Sequence, residues 1–246
     1  MFDTLQQNAG FHNETMVGEK MLNPWLSLPL DEPFVLADDE QIILEYNKRL
    51  KDKYREDQEV HLEVFPEPYS GNPQAKIVLL NLNPGYYPRN KEFGNGTADF
   101  RRMWRANLAH EPQEYPFYHL DPRLNGSPGE VYYRPKFRAP IQEFGEKRVA
   151  EEFFVVEYFP YTTKSGIGGI RRIPSQEYGF YLVQEAMRRN AIIIKMRCKW
   201  GWQGAIPELM SYPRYYELRS VQNTMISEKN CPDGYPEIRK ILLENS

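Results

Sequence analysis

The segment Ala75-Lys-Ile-Val-Leu-Leu-Asn-Leu-Asn-Pro-Gly-Tyr-Tyr87 constrains the fold more than any other part of the chain. Four consecutive aliphatic residues, Ile77 to Leu80, leave no position for solvent, so the run reads as a strand buried on both faces. Such strands belong to mainly parallel sheets with helices on either side. The run then stops at two amides, a proline and a glycine. Proline fixes φ, glycine admits a ligand close to the backbone, and an Asn side chain offers both a donor and an acceptor. This strand end is the first candidate site.

Three further stretches read as strands, giving Lys76–Leu82, Glu152–Tyr158, Ala191–Cys198 and Glu217–Gln222 in all. Helical patterns separate them. Asp38 is expected to cap a helix with Ile42, Ile43, Tyr46 and Leu50 on one face. Thr97 caps a second, with Phe100, Met103, Trp104 and Leu108 inward and Arg101, Arg102 and Arg105 outward. Ser175 caps a third, carrying Tyr178, Tyr181, Leu182 and Ala186 and ending near Asn190. Strand and helix alternate, which predicts an α/β fold with right-handed crossovers around a four-stranded, mainly parallel sheet. Residues 65–73, rich in proline, read as a connection, and residues 1–35 as an N-terminal arm on a single domain spanning 1–246.

The chain of 246 residues, 41% hydrophobic and 14% aromatic, can bury a core without staples. Two cysteines, Cys198 and Cys231, and four histidines (His12, His61, His110, His119) show no metal-ligand spacing, so neither a metal nor a cofactor is expected. The N-terminus lacks a basic stretch followed by an apolar run, and no window has the roughly 18 apolar residues of a membrane span, which predicts a cytoplasmic protein. Net charge is −3, unevenly spread. Residues 1–75 hold 6 Lys+Arg against 15 Asp+Glu (6 − 15 = −9), and residues 76–246 hold 25 against 19 (25 − 19 = +6). The mildly basic body permits a phosphate-bearing partner.

In parallel sheets ligands sit beyond the carboxyl ends of the strands, here Asn81–Gly85, Phe159–Lys164, Lys199–Gln203 and Asn223–Asn230. The first end supplies Asn81, Asn83 and Gly85, followed by Tyr86 and Tyr87 as flat walls on which an extruded base could stack. The second supplies Tyr161 and Lys164 as polar contacts. At the third, Trp200 and Trp202 read as packing residues. At the fourth, Asn223 and Ser227 are candidate contacts on a polar turn. Arg89, Lys91, Arg134, Lys136 and Arg138, interleaved with Tyr132, Tyr133 and Phe137, suit an unpaired nucleic-acid strand.

Leu82-Asn-Pro-Gly85 after Ile77–Leu80 resembles the first motif of the uracil-DNA glycosylase superfamily, in the Asn-Pro-Gly form of its mismatch-specific thymine/uracil branch. The resemblance covers about residues 65–240. It implies a three-layer α/β/α domain and a hydrolase of DNA repair that cleaves the N-glycosidic bond of a flipped, damaged or deaminated base. By position Asn83 takes the family role of orienting the hydrolytic water, whereas Asn81 has no family counterpart. Asn223 and Ser227 stand where the family's second motif contacts the base, although its Pro and His are missing here. The Asn that the family's uracil readers carry at the second strand end is also missing between 152 and 169. The implied partner is DNA or another nucleic acid. The alternative is a non-catalytic nucleic-acid or nucleotide-binding member. An unrelated hydrolase or transferase has no nucleophile elbow or phosphate loop to support it.

Overall fold

A computed structural model describes residues 20–87 and 89–244. The expected arm lies outside the described residues over 1–19. Over 20–36 the chain packs on the body: Trp25, Leu28, Phe34, Val35 and Leu36 are buried, and Asn23 Nδ2 donates to Leu108 O at 2.7 Å.

Helices α1 (Ala37–Arg49) and α2 (Asp52–Gln58) precede strands β1 (Tyr69–Gly71) and β2 (Ile77–Asn81). Next come α3 (Asn90–Gly96), α4 (Ala98–Leu108), α5 (Pro128–Lys136), α6 (Arg138–Phe144) and α7 (Glu146–Glu152). Strand β3 (Phe153–Glu157), α8 (Gln176–Arg188), β4 (Ile192–Lys195), α9 (Lys199–Ala205), β5 (Tyr215–Glu217) and α10 (Tyr235–Leu243) complete the order. The sheet runs β1-β3-β2-β4-β5, with β3, β2, β4 and β5 mutually parallel and β1 antiparallel on β3.

The α/β expectation holds, with five strands in place of four. The extra strand, β1, is short and flanked by prolines, so its sequence carries no alternating pattern. Its Gly71 (φ +111°) is required, because a Cβ there would lie 2.5 Å from Phe153 O. The fourth expected strand is displaced: β5 ends at Glu217, and the chain beyond turns at Ser220–Asn223, where Asn223 N donates to Ser220 Oγ.

Both faces of the sheet are covered, because successive residues of each strand point to opposite sides. Val78, Leu80, Phe154, Val156 and Ile193 pack with α1, α4, α8 and α9. Ile77, Leu79, Phe153, Val155, Ile192 and Ile194 pack with α5, α7 and α10. Each aliphatic side chain so enclosed contributes about 2 kcal/mol. Phe100, Met103, Trp104 and Leu108 of α4 face inward as their spacing predicts. Caps are a different matter. Thr97 and Ser175 occupy the N-cap positions without a side-chain cap bond, and Asp38 lies inside α1, behind the N-cap Leu36.

Candidate active site

From β2 the chain crosses to β3 on one side of the sheet, then returns to β4 on the other. The connections leaving β2 and β4 therefore diverge, which opens a crevice at their carboxyl ends. A cleft of about 380 Å³ occupies this place, within the usual range for ligand sites. Its rim carries Asn83, Pro84, Gly85, Tyr87 and Lys164, its walls Phe65, Phe100, Tyr132 and Tyr133, and its floor Glu67, Asn81, Glu157 and Arg197.

The Asn-Pro-Gly turn is fastened to the loop after β3. Tyr86 N donates to Thr163 O (2.9 Å), Thr163 N to Pro84 O (3.3 Å), and Phe159 N to Leu82 O (2.8 Å). Asn83 Nδ2 donates to Pro84 O at 2.8 Å and to Thr163 Oγ1 at 2.9 Å. With its donor group engaged, Asn83 offers a ligand its Oδ1, an acceptor suited to holding a water O–H.

On the floor, Asn81 and Glu157 are partners in the parallel register of β2 and β3, so their side chains emerge side by side. Both follow the alternation of Ile77 and Leu79, and of Phe153 and Val155, onto the face where α5 packs. Glu157 Oε1 accepts from Asn81 Nδ2 (2.9 Å) and from the Tyr133 hydroxyl (3.1 Å). Its Oε2 and Asn81 Oδ1 are buried without partners. Burial, with the negative charge of Glu67 nearby, raises Glu157 to about 8 against the opposing bonds from Asn81 and Tyr133 and the charge of Arg197. At neutral pH Glu157 is a carboxylic acid.

Glu67 behaves oppositely. Burial pushes it up, but His119 Nε2 at 2.8 Å and the Tyr118 hydroxyl at 2.9 Å from Oε2 outweigh that cost and hold it below its ordinary value. His119 is itself fully buried, and Ser70 Oγ lies 3.3 Å from the same Nε2. Both contacts use one ring nitrogen, so no Ser-His-Glu relay forms. Gly129 lies flat against the ring: a Cβ there would sit 2.1 Å from His119 Nδ1.

The structure brings Asn81, Asn83, Gly85, Tyr87 and Lys164 to this cleft. It does not bring the other four expected residues. Tyr86 stacks on His61, ring centroids 3.8 Å apart, so one face of its ring is taken, and it does not line the cleft. Tyr161 is fully buried away from the cleft, its hydroxyl donating to Asp39 Oδ2 (2.8 Å) and accepting from Leu36 N (3.1 Å). Asn223 sits exposed on a loop that Asn230 folds onto itself, through Asn230 Nδ2 to Asn223 O (2.9 Å) and Met225 O (2.8 Å). Ser227 belongs to the same loop, where its carbonyl accepts from Asn230 N and Cys231 N. Trp202 packs as expected, its Nε1 donating to Asn81 O at 2.7 Å, whereas Trp200 is exposed.

Glu67, His119, Glu157 and Arg197 were not legible as site residues. Glu157 alone carried a signal, a charge ending the apolar strand Phe153–Val156 beside the Asn81 strand end. Several of the basic residues expected to meet nucleic acid are engaged by acids, Lys91 by Glu32, Arg89 by Glu92, and Arg134 by Glu130 and Glu146, and the expected polar contact Lys164 is engaged by Glu56. Arg197 has no ion pair among the described residues, and its Nε is buried without a hydrogen-bond partner. Among the described residues no group of three or more His, Cys, Asp or Glu could hold a metal ion, and no helix is long and apolar enough to cross a membrane.

No family model, curated protein or solved structure matches the chain. What the cleft can do follows from its own groups: a fixed amide acceptor at the rim, an ionised and a neutral carboxyl group within, an uncommitted guanidinium, and aromatic walls.

Proposed function

We propose that this protein is a uracil-DNA glycosylase-like hydrolase of DNA repair, cytoplasmic, which cleaves the N-glycosidic bond of a flipped damaged or deaminated base. The observation that carries the reading is Asn83, immobilised by two bonds from Nδ2 at the rim of an aromatic-walled cleft over the β2–β4 switch point. An amide is no strong base, but it can hold water against a sugar carbon that becomes cationic as the base departs, so positioning supplies the rate. Tyr132 and Phe65 offer apolar walls to the base, and Arg197 offers a cation to a phosphate or to a base oxygen.

The experiment is a panel of single- and double-stranded oligonucleotides containing uracil, hypoxanthine and other lesions, with abasic sites revealed by alkali. Native protein produces abasic sites on at least one substrate, and Asn83→Ala lowers the yield at least tenfold. Absence of abasic sites across the panel would refute the reading.

The second reading is a non-catalytic binder of a nucleotide or nucleic-acid end. It is favoured by the acids that pair with Lys164 on the rim and with Arg89 and Lys91, the chain neighbours of the lining residue Asn90, which reduce the free cationic charge offered to a duplex. Salt-dependent oligonucleotide binding without base release would select it.

A further inference from the structure

We infer that Glu157 is the general acid and Glu67 the general base of this cleft, Glu157 protonating the departing base while Glu67 takes a proton from the attacking water. The inference rests on the glycosylase reading and assigns its proton transfers to two residues that no motif marks.

The two carboxyl groups share one cleft and are held in contrasting ways. Glu67 Oε2 receives two donors, His119 Nε2–H and the Tyr118 hydroxyl, and hydrogen bonds to a carboxylate favour its charged form. Glu157 receives the Asn81 amide and the Tyr133 hydroxyl on Oε1 alone. Oε1 is thereby the acceptor oxygen of the acid, and the proton resides on Oε2, the oxygen without a partner. Glu157 is only 6% exposed and Asn81 3%, so an unpartnered O–H there costs free energy unless a ligand accepts from it. Asn81 Oδ1, also unpartnered, lies on the neighbouring strand as an acceptor for the same ligand.

The titration of the two groups follows the same division. The groups facing Glu157 are Asn81 from β2, Tyr132 and Tyr133 from α5, Glu67 before β1, and Arg197 after β4. Burial dominates, Glu67 adds to it, and Arg197 with the two hydrogen bonds only partly offsets them. Paired carboxyl groups whose environments drive them apart are the arrangement in which one serves as acid and the other as base.

In the step itself, the water oxygen bonds to the anomeric carbon as the carbon–nitrogen bond breaks. The bonding pair leaves with the base, which gains the Glu157 Oε2 proton, and Glu67 gains the water proton. Solvent then returns a proton to Glu157 and removes one from Glu67, so the net reaction adds water across the bond.

The test measures free-base release by native protein, Glu157→Gln and Glu67→Gln between about pH 3 and 10, on matched oligonucleotides carrying uracil or 5-fluorouracil. Native activity is bell-shaped, with an alkaline limb near 8 from Glu157 and an acid limb below the ordinary 4.5 of a glutamate from Glu67. Glu157→Gln keeps an acceptor for Asn81 and Tyr133, loses the alkaline limb, and loses about 100-fold on uracil. It loses less than tenfold on 5-fluorouracil, whose anion departs without a proton. Glu67→Gln loses the acid limb. Release by native protein with an unchanged profile in Glu157→Gln, or with equal losses on both bases, overturns the inference and leaves the glycosylase reading standing. No release by native protein overturns both.

Discussion

Asp39 and Glu157 are both carboxyl groups withdrawn from water, and burial raises each from its ordinary value, yet they occupy different kinds of site. Asp39, in the first turn of α1, spends Oδ1 on Ser175 N (3.1 Å) and Oδ2 on the Tyr161 hydroxyl (2.8 Å). It ties α1 to the start of α8 and to the loop after β3, with a bond on each oxygen. Glu157 has both of its protein bonds on one oxygen and leaves the other unmet beside a cleft. A buried carboxyl group with each oxygen bonded holds the fold, whereas one with an unmet oxygen in a cavity is available to a ligand.

The largest effect on stability is expected at Asp39. Asp39→Ala leaves the Ser175 amide and Tyr161 hydroxyl unpaired and costs about 3 kcal/mol, read as a lowered urea midpoint at unchanged slope. Base release per folded molecule stays at the native level. On the cleft side, Gly129→Ala drives a methyl group into His119 and costs about 2 kcal/mol in thermal unfolding. Displacing the His119 ring weakens its bond to Glu67, so the acid limb of base release also moves to higher pH.

Glu157→Gln has the smaller effect on stability and a distinctive pH dependence. Glu157 titrates near 8 when folded and near 4.5 when unfolded, so between those values only the folded state holds the proton. Native stability therefore falls as pH rises through that window, by up to about 1.4 kcal/mol per pH unit from this group. Gln binds no proton, and the variant's stability is flatter from pH 5 to 8. An identical slope in the native protein and the variant would show that Glu157 is ionised at neutral pH.

The sequence made the sheet legible where apolar runs are continuous. β2, β3 and β4 lie inside their expected ranges because each is an unbroken apolar run covered on both faces, with its one polar residue (Asn81, Glu157, Lys195) only at the last position. β1 was illegible, since three residues among prolines carry no period, and β5 was displaced, since its half-exposed residues Tyr215–Glu217 lack an apolar run. At the site, Asn81, Asn83 and Gly85 were readable because the strand end itself forms the rim and floor. Glu67 and His119 were not. They meet only because the segment before β1 and the turn after α4 converge from positions 52 residues apart in the chain (119 − 67 = 52). Tyr161 was misplaced for a related reason: its strand end is right, but Asp39 from α1 claims its hydroxyl.

The measurement that bears most directly on the division between holding and reacting groups is free-base release, quantified by mass spectrometry, for native protein, Asn83→Ala and Tyr161→Phe on one lesion oligonucleotide. Native protein releases the base, Asn83→Ala loses at least tenfold, and folded Tyr161→Phe releases it at the native rate. Loss in Tyr161→Phe with retention in Asn83→Ala would place the chemistry elsewhere in the molecule and contradict the account.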